Sequence, residues 1–171
     1  MEKVFGYPEF DDTGEMILTT YDNEYRAMRM DIRVYRMRPG DTRTFGSPGE
    51  ETAILLLSGK VTYTWGGEEQ TVSRKDVFTE GPWALHLCRG QEARIAAAQE
   101  TEILVQRTQN DRDFACRLYA PEDAPWIVLD GRRLLNFTSN DTLGLARCAR
   151  WRAEVARCFA RRPASGTASR L

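Results

Sequence analysis

The chain has 171 residues, enough for one domain with a substantial hydrophobic core and a short appendage. Hydrophobic residues make up 42% of the sequence and charged residues 29%, which is typical of a folded globular protein and excludes a disordered or fibrous chain. The net charge is −1, and neither a nucleic-acid-binding motif nor an apolar stretch of membrane-spanning length is present, so we expect neither nucleic acid nor a membrane as a partner.

The cysteines and the N-terminus bear on the cellular compartment. The four cysteines are Cys88, Cys116, Cys148 and Cys158. They are far apart in sequence and form no Cys-x-x-Cys pair, so they indicate neither a zinc knuckle nor a redox motif, and we interpret them as reduced thiols. Residues 1–5 lack the basic segment and apolar run of a signal peptide. We therefore expect a cytoplasmic protein.

The first predicted strand runs from Met28 to Val34, where apolar and polar residues alternate. This period of two is typical of a half-buried strand, with one apolar and one polar face. The apolar face would carry Met28, Met30, Ile32 and Val34, and the other face Arg29, Asp31 and Arg33. Residues 38–41, Arg-Pro-Gly-Asp, then predict a turn.

The region up to residue 106 is predicted to be all β. Gly66-Gly67 lies between alternating runs, which indicates a hairpin because both central residues of a type I′ turn need positive φ. The further predicted strands are residues 53–57, 61–65, 77–78, 85–88, 93–97 and 102–106. Strands this short and this close, without helical periods between them, predict a β-sandwich or barrel.

Four motifs follow one another through this region. They are Pro39-Gly40-Asp41, the run from Glu51 through Ser58-Gly59-Lys60 to Tyr63, the run from Ser73 to Phe78, and the run from Arg117 to Asp123. In order and spacing they resemble the N-terminal half of the 5-deoxyglucuronate isomerase family, bicupins of inositol catabolism. The resemblance covers about residues 20–123. It implies a mainly β, cupin-like jelly-roll barrel, which we assign to residues 1–123.

The metal-ligand positions differ from the general cupin motif, which has His-x-His five residues after a glycine and an acid seven residues before the next glycine. Counted from Gly40, these positions hold Gly46, Pro48 and Thr52, none of which supplies an imidazole or a carboxylate. Glu51 is one residue out of register, and one step along a strand turns a side chain to the opposite face. The family resemblance also implies a cupin without a metal, because the N-terminal cupin of those isomerases is metal-free. We expect no metal and no other cofactor.

His86 is the only histidine of the sequence and the one candidate catalytic residue. It lies four residues after Pro82, whereas the second cupin motif has its metal ligand five residues after the proline. One role would be a lone metal ligand or an acid/base group. The other is a partly buried strand histidine, with Leu85 and Leu87 facing the opposite way. We favour the second interpretation, because one imidazole without partner ligands holds a metal poorly.

Two acidic pairs and three tryptophans have a functional and a structural interpretation. They are Glu50-Glu51, Glu68-Glu69, Trp65, Trp83 and Trp126. A glycosidase needs its two carboxylates across a cleft, whereas acids that are adjacent on a turn are expected to be solvated. Tryptophans stack on sugars in some pockets, but packing at the rim or in the core is their more common role. We expect the structural role for both sets.

The pattern changes after residue 123. Residues 127–129, the turn Asp130-Gly131 and residues 132–137 predict a β-hairpin. Between residues 147 and 161, Trp151, Val155 and Phe159 recur at four-residue steps. This spacing predicts a helix with an apolar stripe, ended by Pro163.

The motifs of this last part resemble another family. They are Leu129 to Phe137, Ser139-Asn-Asp, Leu143 to Ala146, and Ser165 to Leu171. They resemble the start of the α-oxoamine synthases, the aminotransferase-like family of 8-amino-7-oxononanoate synthase in biotin formation. The resemblance implies that residues 124–171 are an N-terminal fragment of such an enzyme, hairpin plus helix, and that Asn140 would approach the acyl substrate in a complete enzyme. These enzymes bind pyridoxal phosphate on a lysine, but Lys3, Lys60 and Lys75 all precede this part.

Three functions from different classes remain. The first is a metal-free, non-catalytic cupin module that binds a small sugar acid, a partner chain or a second copy of itself. The second is an active sugar-acid isomerase whose site comes from another chain or from residues without a recognised motif. The third is the front of a fusion to a pyridoxal-phosphate-dependent synthase that continues beyond Leu171. We favour the first, which is compatible with the third, and we do not expect the chain to catalyse a reaction alone.

Overall fold

The computed structural model describes residues 8–23, 25–123, 126–129 and 132–135, together with Ala153 and Arg157. This part of the chain is mainly β, with two short 3-10 turns at Arg26–Met28 and Pro121–Asp123. The strands are β1 (Glu15–Thr19), β2 (Asp31–Met37), β3 (Thr42–Phe45), β4 (Glu50–Trp65), β5 (Glu68–Arg74), β6 (Trp83–Leu87), β7 (Ala93–Ala97), β8 (Thr101–Gln109), β9 (Arg117–Tyr119), β10 (Trp126–Leu129) and β11 (Arg132–Leu135).

The first nine strands form two antiparallel sheets that share β4. The first sheet runs in the order β1-β2-β8-β4-β6-β9, and in the second β3 pairs with β7, β7 with β4, and β4 with β5. Strands that are far apart in sequence are neighbours in both sheets, as in a jelly roll. The predicted mainly β, cupin-like fold is therefore confirmed.

β4 is one strand of 16 residues, although the sequence predicted two strands separated at Ser58-Gly59. Its first part pairs with β8 and β6 in the first sheet, and its second part pairs with β5 and β7. The pairing with β8 shifts register between Leu56 and Ser58. Gly59 has φ +108°, and a Cβ there would lie 2.6 Å from the carbonyl oxygen of Glu100. Glycine thus lets the strand bend from one sheet into the other without ending.

The core lies between the two sheets. Burying each large apolar side chain contributes roughly 1.5–3 kcal/mol. The buried members are Tyr35, Met37, Phe45, Ile54, Leu56, Val61, Tyr63, Val72, Leu85, Leu87, Ala93, Ile95, Ala97, Ile103 and Val105. Trp65 and Trp83 are partly buried and pack against this core, as the structural interpretation of those tryptophans predicted. The side chain of Trp126 lies outside the described residues.

β2 differs from the strand predicted at Met28 to Val34. Met28 ends a 3-10 turn and is 55% exposed, and the strand begins only at Asp31. The prediction of a single apolar face is also wrong, because Ile32 is buried on one face of β2 while Tyr35 belongs to the core on the other face. Since both faces are covered, Asp31 is buried rather than solvated.

The predicted hairpin at Gly66-Gly67 and the predicted strand at Val77-Phe78 have different outcomes. The hairpin at Gly66-Gly67 is confirmed, with φ of 52° and 87° at the two glycines. The strand predicted at Val77-Phe78 is wrong, because these residues lie in a turn after β5. The carboxylate of Asp76 accepts the backbone N–H groups of Phe78 and Thr79 at 2.8 and 2.7 Å, which holds the chain in a turn instead of a strand. Phe78 is 94% exposed there.

The chain divides into two compact units, Met1–Trp126 and Ile127–Leu171. β10 and β11 pair with each other, so the predicted hairpin is confirmed over its described residues. Ala153 and Arg157 are helical. The remainder of the predicted helix, with Trp151, Val155 and Phe159, lies outside the described residues. Within the described part, no helix combines the length and the apolar character needed to cross a membrane.

Candidate functional site

The cupin metal-ligand positions of this chain carry no imidazole or carboxylate side chain. Thr52 is fully buried on the core-facing side of β4, here called the inner face. Opposite it on β6 lies Leu87, which is five residues after Pro82 and 1% exposed. Gly46 and Pro48 occupy the His-x-His positions. Among the described residues, no group of three or more His, Cys, Asp or Glu side chains is placed to hold a metal ion.

His86 lies on the outer face of β6. Its neighbours Leu85 and Leu87 are in the core, whereas the His86 side chain is 34% exposed. Its ring lies 4.5 Å from the ring of Phe114, measured between centroids. Its Nε2 atom is 3.7 Å from Oε2 of Glu51, a contact that becomes an ion pair when the imidazole is protonated. The histidine is thus one register step away from the inward position held by Leu87.

Glu50 and Glu51 begin β4 and have partners, so the prediction of two solvated acids on a turn is wrong. Alternation along the strand sends them to opposite faces. On the inner face, Glu50 accepts a hydrogen bond from the hydroxyl of Tyr21 at 2.6 Å. On the outer face, Glu51 accepts one from the side-chain amide of Asn110 at 2.6 Å. The pair Glu68-Glu69 is exposed on β5, as predicted.

A group of charged and hydroxyl side chains lies on the inner face of the first sheet and is called the inner polar cluster. Its members are Glu15, Asp31, Arg33, Tyr35 and Arg107. Arg33 binds Asp31 with two parallel hydrogen bonds of 2.8 and 2.7 Å and binds Glu15 at 2.6 Å. The Tyr35 hydroxyl donates to the same Glu15 oxygen at 3.1 Å. Paired N–H donors on one carboxylate are the strong, geometrically specific form of this interaction.

The electrostatics of the inner polar cluster follow from these contacts. The hydrogen bonds to Asp31 and Glu15 raise the pKa of the Arg33 guanidinium. Burial and the charge of Glu15 raise the pKa of the Tyr35 hydroxyl. Burial and the hydrogen bond to Glu50 raise the pKa of Tyr21. Both tyrosines therefore remain protonated donors at neutral pH, and Arg33 remains a cation.

Arg107 is the less firmly held arginine of the cluster. Its one ion pair with another described residue is a 3.4 Å contact with Asp31, and its side chain is 20% exposed. It pairs across the strands with Thr52, whose buried hydroxyl has no hydrogen-bond partner among the described residues. The hydroxyl of Tyr63 is likewise buried without a described partner, and burial raises its pKa. Buried polar groups normally have a partner, so these two hydroxyls are exceptions within the core.

An open pocket of about 410 Å³ includes Tyr21, whose hydroxyl contacts the inner-face carboxylate of Glu50. Two cationic residues, Arg26 and Arg29, and the polar residues Thr108 and Gln109 complete its lining. The Thr108 hydroxyl donates to the carbonyl oxygen of Arg29 at 3.1 Å, which fixes this wall to β8. The pocket thus joins positive charge to hydroxyl and amide groups.

Sequence reasoning missed most of these residues. Arg107 had a usable signal, because it follows Ile103 and Val105 at steps of two and so shares their inward face. Asn110 had no such sequence signal, because its hydrogen-bond partner Glu51 is 59 residues away in the chain. Asn140, the predicted substrate contact of the synthase-like part, lies outside the described residues.

Comparison with known proteins gives one family match. The model of the KduI/IolB family matches residues 6–130, which extends the predicted resemblance of residues 20–123 at both ends. Among curated proteins there is no match to the chain. The α-oxoamine synthase resemblance of residues 128–171 receives no support from these comparisons.

Two solved structures show the same fold. The IolB-like protein of Salmonella typhimurium LT2 has a TM-score of 0.56 and 16% identity over 61% of this chain and 42% of its own. Protein Ylba from E. coli has a TM-score of 0.55 and 17% identity over 79% of this chain and 55% of its own. The chain thus spans about half the length of these relatives or less, and at these identities the likeness concerns the fold alone. The family match over residues 6–130 goes further, and on that ground the chain belongs to the KduI/IolB family.

Proposed function

We propose that this chain is a metal-independent cupin module that binds a small sugar acid and does not catalyse isomerisation by itself. One observation carries the proposal: the ligand positions of the cupin motifs hold residues without imidazole or carboxylate groups, while His86 lies on the outer face. An aldose–ketose conversion moves a proton between C1 and C2, which requires an acid/base group and an electrophile in one cavity. Of the inner-face carboxylates, Glu15 and Asp31 are bound by Arg33, and Glu50 accepts a hydrogen bond from the hydroxyl of Tyr21.

The pocket at Arg26 and Arg29 supports a sugar acid as the ligand. Guanidinium groups bind carboxylates with paired hydrogen bonds, and hydroxyl and amide side chains suit sugar hydroxyls. Tyr21, Thr108 and Gln109 supply such groups in the same pocket. A neutral sugar would leave the arginine donors without an anionic partner, so an acidic sugar is favoured over a neutral one.

A metal and activity measurement tests the first half of the proposal. Purified, dialysed protein is expected to carry only substoichiometric Fe, Mn and Zn by elemental analysis, and to leave 5-deoxyglucuronate unchanged when each metal is added. Retained stoichiometric metal, or turnover, would overturn the metal-independent role. If turnover appeared, His86→Ala would assign it: loss of turnover would make His86 a catalytic residue, and unchanged turnover would place the reaction elsewhere.

A binding measurement tests the second half. We expect D-glucuronate to bind in isothermal titration calorimetry and glucose not to bind, because only the acid has a carboxylate for the arginines. The double substitution Arg26→Met and Arg29→Met should abolish this binding. Arg94→Met, an exposed change on β7, is the matched control and should leave it intact. Equal binding of glucose, or binding that survives the double substitution, would refute the site.

The two other functions remain as alternatives. Turnover in the assay above would favour an active sugar-acid isomerase. A fusion to a pyridoxal-phosphate-dependent synthase would be supported if the gene continued beyond codon 171 with a cofactor-binding lysine, since Asn140 would then belong to a complete substrate site.

A further inference from the structure

A second cleft, outside the inner polar cluster, contains two cysteines. It has a volume of about 400 Å³, and its lining includes Cys88, Cys116, Trp65, Arg89 and Asp113. Cys88 is 5% exposed, and Cys116 is partly buried against the core. Both are free thiols. Their separation of 28 residues hides this proximity in the sequence, where they form no Cys-x-x-Cys motif.

The two thiols are close enough for a disulfide. The backbone N–H of Cys88 donates to Sγ of Cys116 at 3.2 Å. Because the N–Cα bond is about 1.46 Å long, this sulfur lies no more than about 4.7 Å from the Cα atom of Cys88. Disulfide-bonded cysteines have Cα atoms about 4.4–6.8 Å apart, so a sulfur within about 4.7 Å of the Cys88 Cα is compatible with such a bond. Cys88 directly follows β6 and Cys116 directly precedes β9, and these two strands are adjacent and antiparallel.

In the thiol form, the segment from Arg112 to Phe114 holds the sulfur of Cys88. The backbone N–H of Phe114 donates to this Sγ at 3.4 Å, and the Sγ atom lies 3.9 Å from both the carbonyl oxygen of Arg112 and Oδ1 of Asp113. A bond to Cys116 would therefore require the Cys88 side chain to leave these contacts.

We propose that Cys88 and Cys116 form a reversible intramolecular disulfide by thiol–disulfide exchange with a small oxidised thiol such as glutathione disulfide. The thiolate of the more accessible Cys116 attacks one sulfur of the oxidant and releases one glutathione thiolate. The thiolate of Cys88 then attacks the mixed disulfide at the Cys116 sulfur and releases the second glutathione. The protein loses two protons and two electrons, and one glutathione disulfide becomes two glutathione thiols.

The expected consequence is a change in the segment from Arg112 to Phe114. Once the Cys88 sulfur has turned to Cys116, the amide of Phe114 loses its acceptor. Phe114 also packs on His86, so oxidation would alter the surroundings of the outward histidine. The inference is independent of sugar-acid binding, which concerns a different pocket.

The test uses the full chain with Cys148→Ser and Cys158→Ser, so that only this pair can react. After incubation with glutathione disulfide, we expect a mass loss of two hydrogens, no thiol titratable after denaturation, and a digest peptide linking Cys88 to Cys116. Reduction should restore both thiols. With Cys116→Ser added, the mass loss and the linked peptide should disappear.

Three outcomes would overturn the proposal: two thiols that remain titratable after denaturation, stable glutathione adducts without the internal link, or a link between two chains on a non-reducing gel. If a serine variant fails to fold, peptide mapping of the unsubstituted chain after oxidation decides the question by the presence or absence of the peptide that links Cys88 to Cys116. Faster hydrogen exchange at the amide of Phe114 after oxidation would identify the freed segment, and unchanged exchange would remove the conformational part of the proposal.

Discussion

Replacing Asp31 by alanine should be among the most damaging single changes in the inner polar cluster. The Asp31 side chain is 8% exposed, receives two hydrogen bonds from Arg33 and lies 3.4 Å from Arg107. Removing one partner of a fully buried ion pair costs about 3–5 kcal/mol. Arg33 keeps Glu15 and is 26% exposed, so solvent offsets part of that loss. We expect a destabilisation of about 2–3 kcal/mol.

Urea unfolding followed by tryptophan fluorescence measures this loss, because Trp65 and Trp83 pack on the core. With a slope of about 2 kcal/mol per molar urea, the midpoint of Asp31→Ala should fall by about 1–1.5 M. Glu102→Ala is the matched control, since it removes the carboxylate of an ion pair with the exposed Arg36 and should cost about 0–1 kcal/mol. Equal losses in the two variants would show that burial of Asp31 contributes nothing, and the reasoning would be refuted.

Three further predictions concern the turns and bends. Gly59→Ala should lower the free energy of unfolding by more than about 2 kcal/mol, because the new Cβ would lie 2.6 Å from a backbone carbonyl oxygen. The control Gly67→Ala is also at positive φ but meets open space, so it should cost about 1 kcal/mol. Similar unfolding midpoints for the two variants would contradict the clash. Hydrogen bonds from Thr79 hold the pKa of Asp76 below its usual value, so the stabilisation from Asp76 is present above about pH 4 and is lost as pH falls through the lowered pKa. The urea midpoint of the wild type should therefore fall below about pH 4, and Asp76→Asn should make this fall smaller. Parallel plots of midpoint against pH for the two proteins would argue against this role of Asp76. Phe78→Ser should change stability by less than about 0.5 kcal/mol, because the ring is almost fully exposed, and a larger loss in the same assay would mean that it packs on something.

The fold was largely predictable because its signals are local. Alternation and glycine pairs marked β7 and the Gly66-Gly67 hairpin, and the order of motifs indicated the family. Local signals failed where distant residues decide the outcome. Asp31 has the period of a solvated residue, yet it is buried, and the side chains of Arg33 and of Arg107 on the neighbouring strand β8 contact it. Val77 has high strand propensity, but the carboxylate of Asp76 binds the backbone and makes a turn.

For the candidate site, the sequence predicted which residues occupy the cupin ligand positions. The residues in the ligand positions, such as Thr52, could be counted from the glycines of the motif. The inner polar cluster and the two cysteines depend on pairing between strands that are far apart in sequence: Arg107 and Asp31 are separated by 76 residues, and Cys88 and Cys116 by 28. A single sequence contains no direct record of such contacts, so only the register of the sheets reveals them.

The strand shared by the two sheets also has a consequence for how the chain reaches its native state. β4 pairs with β5 across a two-residue loop, but its other partners β6, β7 and β8 come progressively later in the chain. Closing a short loop costs little entropy, whereas the β2–β8 pairing joins residues up to 76 positions apart. We therefore expect the β4–β5 hairpin to form early, and docking of β8 between β2 and β4 to limit the rate. Folding should take milliseconds to seconds, as is common for β proteins dominated by distant contacts.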